Sequence, residues 1–257
     1  MYALRINRFY LMASSIFLVS LFVSGPIAAA PVSYAFDFTG ASDPSGNELI
    51  FTDPTDTLTA TVSSWAEVGA GTLEQATLNQ MTNGLGVCNS LEANCATKEN
   101  FRGITEASGQ DWILVIFSSN VNLTGFTVAA EVGPKDKPGF RDVTYFTGSL
   151  SSSGDLLGKS YADLIDVGVL GLTETTVLSG KGLTDITVNI NSEAGAEVWG
   201  NAILIGGAIG GGADRILLNG MSTVVPIPAS IWLLLSALGV LAGKQKNYSR
   251  PLLKRST

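Results

Sequence analysis

Histidine is missing from all 257 residues, and cysteine occurs only twice. Without imidazole no Ser-His-Asp or Cys-His nucleophile pair can form, and no His-ligated zinc, copper or haem site can be built. Charge is scarce as well, at 14% of residues against about a quarter in an average soluble domain. The 15 cations and 22 acids give a net charge of −7, which excludes the basic face that nucleic-acid phosphates require. Apolar residues are plentiful instead, at 46%, and the mean hydropathy is +0.31. The length allows one or two domains. Neither charge nor hydropathy is spread evenly along the chain.

Residues 1–30 hold Arg5 and Arg8 and no acid, followed by an apolar run from Phe9 to Val23 broken only by serines. Gly25-Pro26 and the Ala28-Ala29-Ala30 cluster come next, then Pro31. A basic start, an apolar middle and a small-residue end are the three parts of a secretory signal peptide, and the expected cut lies between Ala30 and Pro31. The alternative, a retained N-terminal membrane helix, suits the helix-breaking Gly-Pro pair less well. The opposite end is also tripartite. Val225-Pro226-Ile227-Pro228-Ala229 leads into an apolar span over 230–243, and a tail over 244–257 carries Lys244, Lys246, Arg250, Lys254 and Arg255. Fourteen helical residues rise about 21 Å, short of the roughly 30 Å hydrocarbon core. With the preceding residues and snorkelling lysines the segment can cross a thin inner membrane, its basic end in the cytoplasm.

The order of motif, Trp232-bearing apolar span and terminal cations resembles the PEP-CTERM sorting signal of exosortase substrates in Gram-negative bacteria, in its VPxPA variant. Ile227 stands where the more common form has glutamate. The interior stretches Gly84-Leu85-Gly86-Val87, Asp111 to Phe117, Ala202 to Ala208 and Asp214 to Leu218 are also similar to exosortase-dependent surface proteins. The resemblance implies export through the Sec translocon, cleavage by signal peptidase, and a transient anchor in the inner membrane. It further implies a cut near 225–229 by an exosortase-type membrane protease, and delivery to the cell surface or extracellular matrix.

This divides the chain into a signal peptide over 1–30, a domain over 31–223 and a sorting signal over 224–257. Removing both ends leaves residues 31–225, long enough for one domain with a sizeable core. Eight cations and all 22 acids lie there, a net charge of −14. The periodicity is that of strands: Val32, Tyr34, Phe36 and Phe38 alternate with polar or small residues, and Leu58, Ala60 and Val62 repeat the pattern. Trp112 to Phe117 is continuously apolar, as in a strand buried on both faces. Further strands are expected at 123–132, 143–147, 186–190, 198–205 and 215–218, and one short helix or 3₁₀ turn at 161–167. The expected fold is all-β, an antiparallel, jelly-roll-like β-sandwich.

Cys88 and Cys95 have six residues between them and would meet an oxidising compartment, so a disulfide is expected. The chain-entropy model gives such a loop about 2–3 kcal/mol. No cofactor is expected. Calcium is the cation that Asp43, Asp53 and Asp56, or Asp136 and Asp142, could take, though nothing matches an EF-hand loop. Trp112 opens the most apolar run and belongs in the core. Trp65 and Trp199 sit among small and polar residues and are the candidates for stacking sugar rings at the surface. Gly206 to Gly212 lacks a following Gly-Lys-Ser/Thr, so a flexible hairpin between strands explains it better than a nucleotide loop. Asn122-Leu123-Thr124 matches a glycosylation triplet but reads as a strand-start turn.

The functional expectation is a non-enzymatic surface or matrix protein associated with exopolysaccharide, without nucleic-acid partners. A secreted carbohydrate-binding module or carbohydrate-active enzyme on the same fold is the alternative. A permanently anchored inner-membrane protein is a third.

Overall fold

The computed structural model describes residues 31–225 apart from 41–42, 45, 69–70, 91–103, 106–109, 131–138, 141, 180, 183 and 209–214, and beyond these only 234 and 236–238. Val32–Val225 forms one compact unit. Among the described residues no helix is long and apolar enough to cross a membrane. The expected span over 230–243 lies almost wholly outside them, as do residues 1–30.

The unit is all-β, antiparallel and sandwich-like. Its strands are β1 (Val32–Asp37), β2 (Asp43–Pro44), β3 (Glu48–Thr52), β4 (Thr59–Val68), β5 (Thr72–Gln75), β6 (Thr77–Met81), β7 (Gly84–Cys88) and β8 (Ile104–Thr105). There follow β9 (Asp111–Ala130), β10 (Gly139–Phe140), β11 (Val143–Gly148), β12 (Thr173–Val177), β13 (Lys181–Gly182), β14 (Ile186–Asn189), β15 (Trp199–Gly207) and β16 (Arg215–Val225). Fourteen of them join one sheet, with β10 and β13 paired separately.

β9 organises the sheet, and its sequence explains how. Over Asp111–Phe117 it pairs with β4 on one side, and with β15 on the other over Trp112–Ile116 and again at Val121 and Asn122; from Asn122 onward it pairs with β14 and β16. The expected strands at 112–117 and 123–132 are therefore one strand. Exposed Ser118, Ser119 and Asn120 lie between its two apolar halves. Ile113, Val115 and Phe117 from the first half meet Val121, Leu123, Phe126 and Val128 from the second in one main core. The alternate set, Trp112 and Leu114, faces a second cluster with Trp65, Phe146 and Leu204. That is why the run carries no polar residue: both of its faces are buried.

The second cluster is closed by the connection between β11 and β12. A 3₁₀ turn at Ser153–Leu156 and a helix at Tyr161–Ile165, where a short helix was expected, lay Leu150, Leu156, Leu164 and Leu172 over the sheet. Helix entry is fixed by Ser160, whose N–H and hydroxyl donate to the Asp163 carboxylate at 2.7 and 2.8 Å. Tyr161 packs edge-on against Phe146, which in turn tilts against Trp112.

Two boundaries differ from expectation. The strand expected over 186–190 ends at Asn189, whose side chain accepts from the Ser192 N–H and starts the helical turn Ile190–Ala194. β16 runs past Leu218 through a bulge near Gly220 and ends at Val225. Val224 and Val225, expected to open the terminal segment, are thus the last two rungs of the sheet, paired with Ser33 and Val32.

Candidate functional site

The residues expected to carry function fall in four places. At one end of the sheet, β1 and β16 run antiparallel with Val32 directly opposite Val225. Pro31 is exposed and immediately precedes β1. Ala30, Pro226, Ile227, Pro228 and Ala229 lie outside the described residues. β1 is an integral strand, since Phe36 and Phe38 are buried and the Phe38 N–H donates to the Asn219 carbonyl at 2.9 Å. Phe36 also tilts against Phe117, and Phe38 meets Phe51 edge-on.

Cys88 closes β7, opposite Thr77, and is buried. No cysteine among the described residues is free. Cys95 lies outside them.

The tryptophans divide differently from expectation. Trp112 is in the core, as its run implies. Trp65, expected at the surface, is only 2% exposed and cannot present its ring to a sugar. It stands directly opposite Trp112 on β4, under the 149–172 connection, and donates its indole N–H to the Ser63 hydroxyl at 3.0 Å. The serines around it misled because they are themselves buried; the Ser64 hydroxyl donates to the Ala76 carbonyl at 2.7 Å. Trp199 is 47% exposed at the start of β15, its indole N–H donating to Glu197 Oε2 at 3.2 Å.

Among the described residues the expected acids turn to backbone or solvent. Asp53 is buried with its carboxylate turned onto its own backbone, accepting from the N–H groups of Thr55, Thr57 and Leu58 at 2.8, 2.8 and 2.6 Å and from the Thr55 hydroxyl. Burial acts to raise its pKa, but the Thr55 hydroxyl and the three N–H groups outweigh it and hold it down at about 2. Asp56 is exposed with a left-handed backbone, φ 55°. Asp142 accepts from the Ser179 N–H at 2.6 Å. The side chain of Asp43 and all of Asp136 lie outside the described residues. Among the described residues no group of three or more metal-ligating side chains occurs.

An open depression of about 480 Å³ lies in the 149–172 connection, lined by Ser149, Ser151, Asp155, Leu157, Lys159 and Val169 among others. Asp155 is the carboxylate among its described lining residues, and it accepts from the Ser151 and Ser152 N–H groups at 2.8 and 3.0 Å. The Ser152 N–H in particular holds its pKa below the ordinary carboxylate range.

Two further expectations are corrected by topology. The glycine stretch from Gly206 does not join hairpin partners, because β15 and β16 each pair with β9 and not with each other. Gly206 itself lies in β15 beneath Trp112, where a Cβ would stand 2.4 Å from the indole ring. Asn122 is no strand-start turn; it is a buried position inside β9. No family model matches the chain, and no curated protein or solved structure matches it.

Proposed function

We propose that the chain is an exported bacterial surface or extracellular-matrix protein, non-enzymatic and associated with exopolysaccharide. In this reading the Sec translocon exports it and signal peptidase cuts between Ala30 and Pro31. The 230–243 span then anchors it in the inner membrane until an exosortase-type membrane protease cuts near Val225 to Ala229. The mature part is a jelly-roll-like sandwich closed by a Cys88–Cys95 disulfide.

The observation that supports this most is the pairing of Val32 with Val225. The sheet begins one residue after the first expected cut and ends on the first residue of the second motif. Directly opposed antiparallel residues stand about 4.5–5.5 Å apart at Cα. Both cuts therefore fall at one end of one strand pair, and neither removes a residue that the ladder needs. A domain bounded in this way keeps its sheet through both cleavages. The exposed Trp199 favours carbohydrate binding within the alternative reading.

The test is cell fractionation of the wild type and of a Pro226→Ala/Pro228→Ala double variant. The wild type should be found outside the inner membrane, accessible to protease on intact cells, and the double variant should accumulate in the inner membrane. Wild type confined to the cytoplasm would contradict export, and identical distributions would contradict sorting.

A further inference from the structure

The half of the sheet built from β14, β9, β16 and β1 has an outer face whose composition is unusual for a domain this acidic. Register places Thr187, Thr127 and Gly220 in one cross-strand row, Asn189, Gly125 and Ser222 in the next, and Trp199, Asn122 and Val224 in a third. Their strand neighbours Val188, Phe126 and Met221 point the other way, into the main core. The two-residue period of a strand thus puts all three rows on the outside.

The middle of this face is low and rich in hydroxyls. Gly125 and Gly220 leave it without side chains, because a Cβ there would stand 2.6 Å from the Val188 carbonyl oxygen and 2.9 Å from that of Phe36. Around them the Thr124 hydroxyl donates to Ser222 Oγ at 2.9 Å, and the Thr127 and Thr187 hydroxyls pair at 3.2 Å. Asp37 at the margin and Glu197 beside Trp199 are its charges, and no described side chain on it is cationic.

An independent observation lies at the Trp199 end. Asn122 is 6% exposed, and its Oδ1 has no hydrogen-bond partner among the described residues. A buried acceptor left unmade is costly. Its neighbour in the row, directly opposite, is Trp199, with almost half its surface in water. A tryptophan ring left exposed and an acceptor left empty beside it are both answered by a ligand with a flat apolar face and hydroxyl donors at its rim. A sugar ring has that form.

We propose that this face binds a chain of neutral sugar residues, with Trp199 as the stacking platform and Asn122, Thr124 and Ser222 as the polar row beside it. The proposal rests on the exopolysaccharide reading above and names the polymer class. Neutrality follows from charge: a face without described cations, on a segment of net charge −14, repels uronate or sulfate groups.

The test is affinity electrophoresis of the full chain in mild detergent, through gels carrying dextran, a soluble β-glucan, a galactomannan or alginate. Retardation by at least one neutral polymer and none by alginate is expected. Trp199→Ala should weaken that retardation at least about tenfold, as loss of a central aromatic anchor does at other interfaces. Leu178→Ala, which removes an exposed apolar side chain elsewhere, should leave it unchanged. Because Trp199 is half exposed, its variant should melt with the wild type, and Ser222→Lys provides a second disruption that removes no packing. Indifference to every neutral polymer, stronger retardation by alginate, or full retention in both variants would overturn the proposal. A Trp199-dependent dimer without retardation would overturn it in favour of a second copy of the chain. Processing is measured separately: a doubly cut but unretarded chain sinks the sugar face alone, and an uncut but retarded chain sinks the export reading alone.

Discussion

Asp53 sits in Asp53-Pro54-Thr55-Asp56-Thr57, an acidic stretch that suggests an oxygen-rich cation site. In the fold its carboxylate instead ties together the turn between β3 and β4, and its oxygens are taken by backbone N–H groups. With a folded pKa of about 2 against roughly 3.9 for an unfolded aspartate, the ionised form stabilises the native state above about pH 4. That contribution is lost as pH falls through about 2. In Asp53→Asn, urea midpoints should therefore decline less steeply between pH 4 and 2 than in the wild type, from a lower value at pH 7. Asp37, Asp155 and Asp163 are lowered too, chiefly by the Thr39 hydroxyl, the Ser152 N–H and the Ser160 N–H, so the slope should shrink without vanishing. An acid slope identical to wild type would refute this role. The same lesson holds for the tryptophans. Trp112 declares its burial through its apolar run, but Trp65 is buried by a connection more than 80 residues away, which its neighbours Ser63, Ser64 and Ala66 do not foreshadow.

Elements were legible where alternation is strong and both flanks are packed. β1, β4, β9, β11 and β15 begin and end within a few residues of the expected strands, apart from the longer reach of β9 and the C-terminal part of β4. β3 and β12 were not foreseen, because Glu48–Thr52 and Thr173–Val177 each pair along one side only and carry exposed residues between half-buried ones. β5, β6 and β7 escaped as well, being short and separated by single residues or a tight turn. The Gly206 position shows an element-scale constraint that composition disguises as loop. β15 needs glycine there because the Trp112 ring fills the space that a side chain would take. Gly206→Ala should cost about 1–3 kcal/mol in urea unfolding, the usual range for forcing a methyl into a packed core. Gly154→Ala, whose Cβ would meet only the Ser152 hydroxyl at 3.6 Å, should cost far less. Equal effects of the two would contradict the close packing of β15 against β9.

At the scale of the whole molecule, the all-β class was readable from strand period. The pairing was not, because β9 recruits β4, β14, β15 and β16 from distances of about 50 to 100 residues, and nothing local encodes which partner lies on which edge. The scarcity of charge in the chain as a whole also takes a different meaning. The cationic ends offset a segment over 31–225 of net charge −14, and that segment presents a nearly uncharged outer face beside Trp199. The central claim is that this segment is released from both ends with its sheet intact and its two cysteines joined. The most direct measurement is intact-mass and terminal-peptide mass spectrometry of the protein recovered from the envelope and medium, after alkylation in denaturant without reductant. Chains that begin at Pro31, end between Val225 and Ala229 and carry no alkyl group are the predicted result. Surface-exposed chains that still end at Thr257, or that carry two alkylated cysteines, would contradict it.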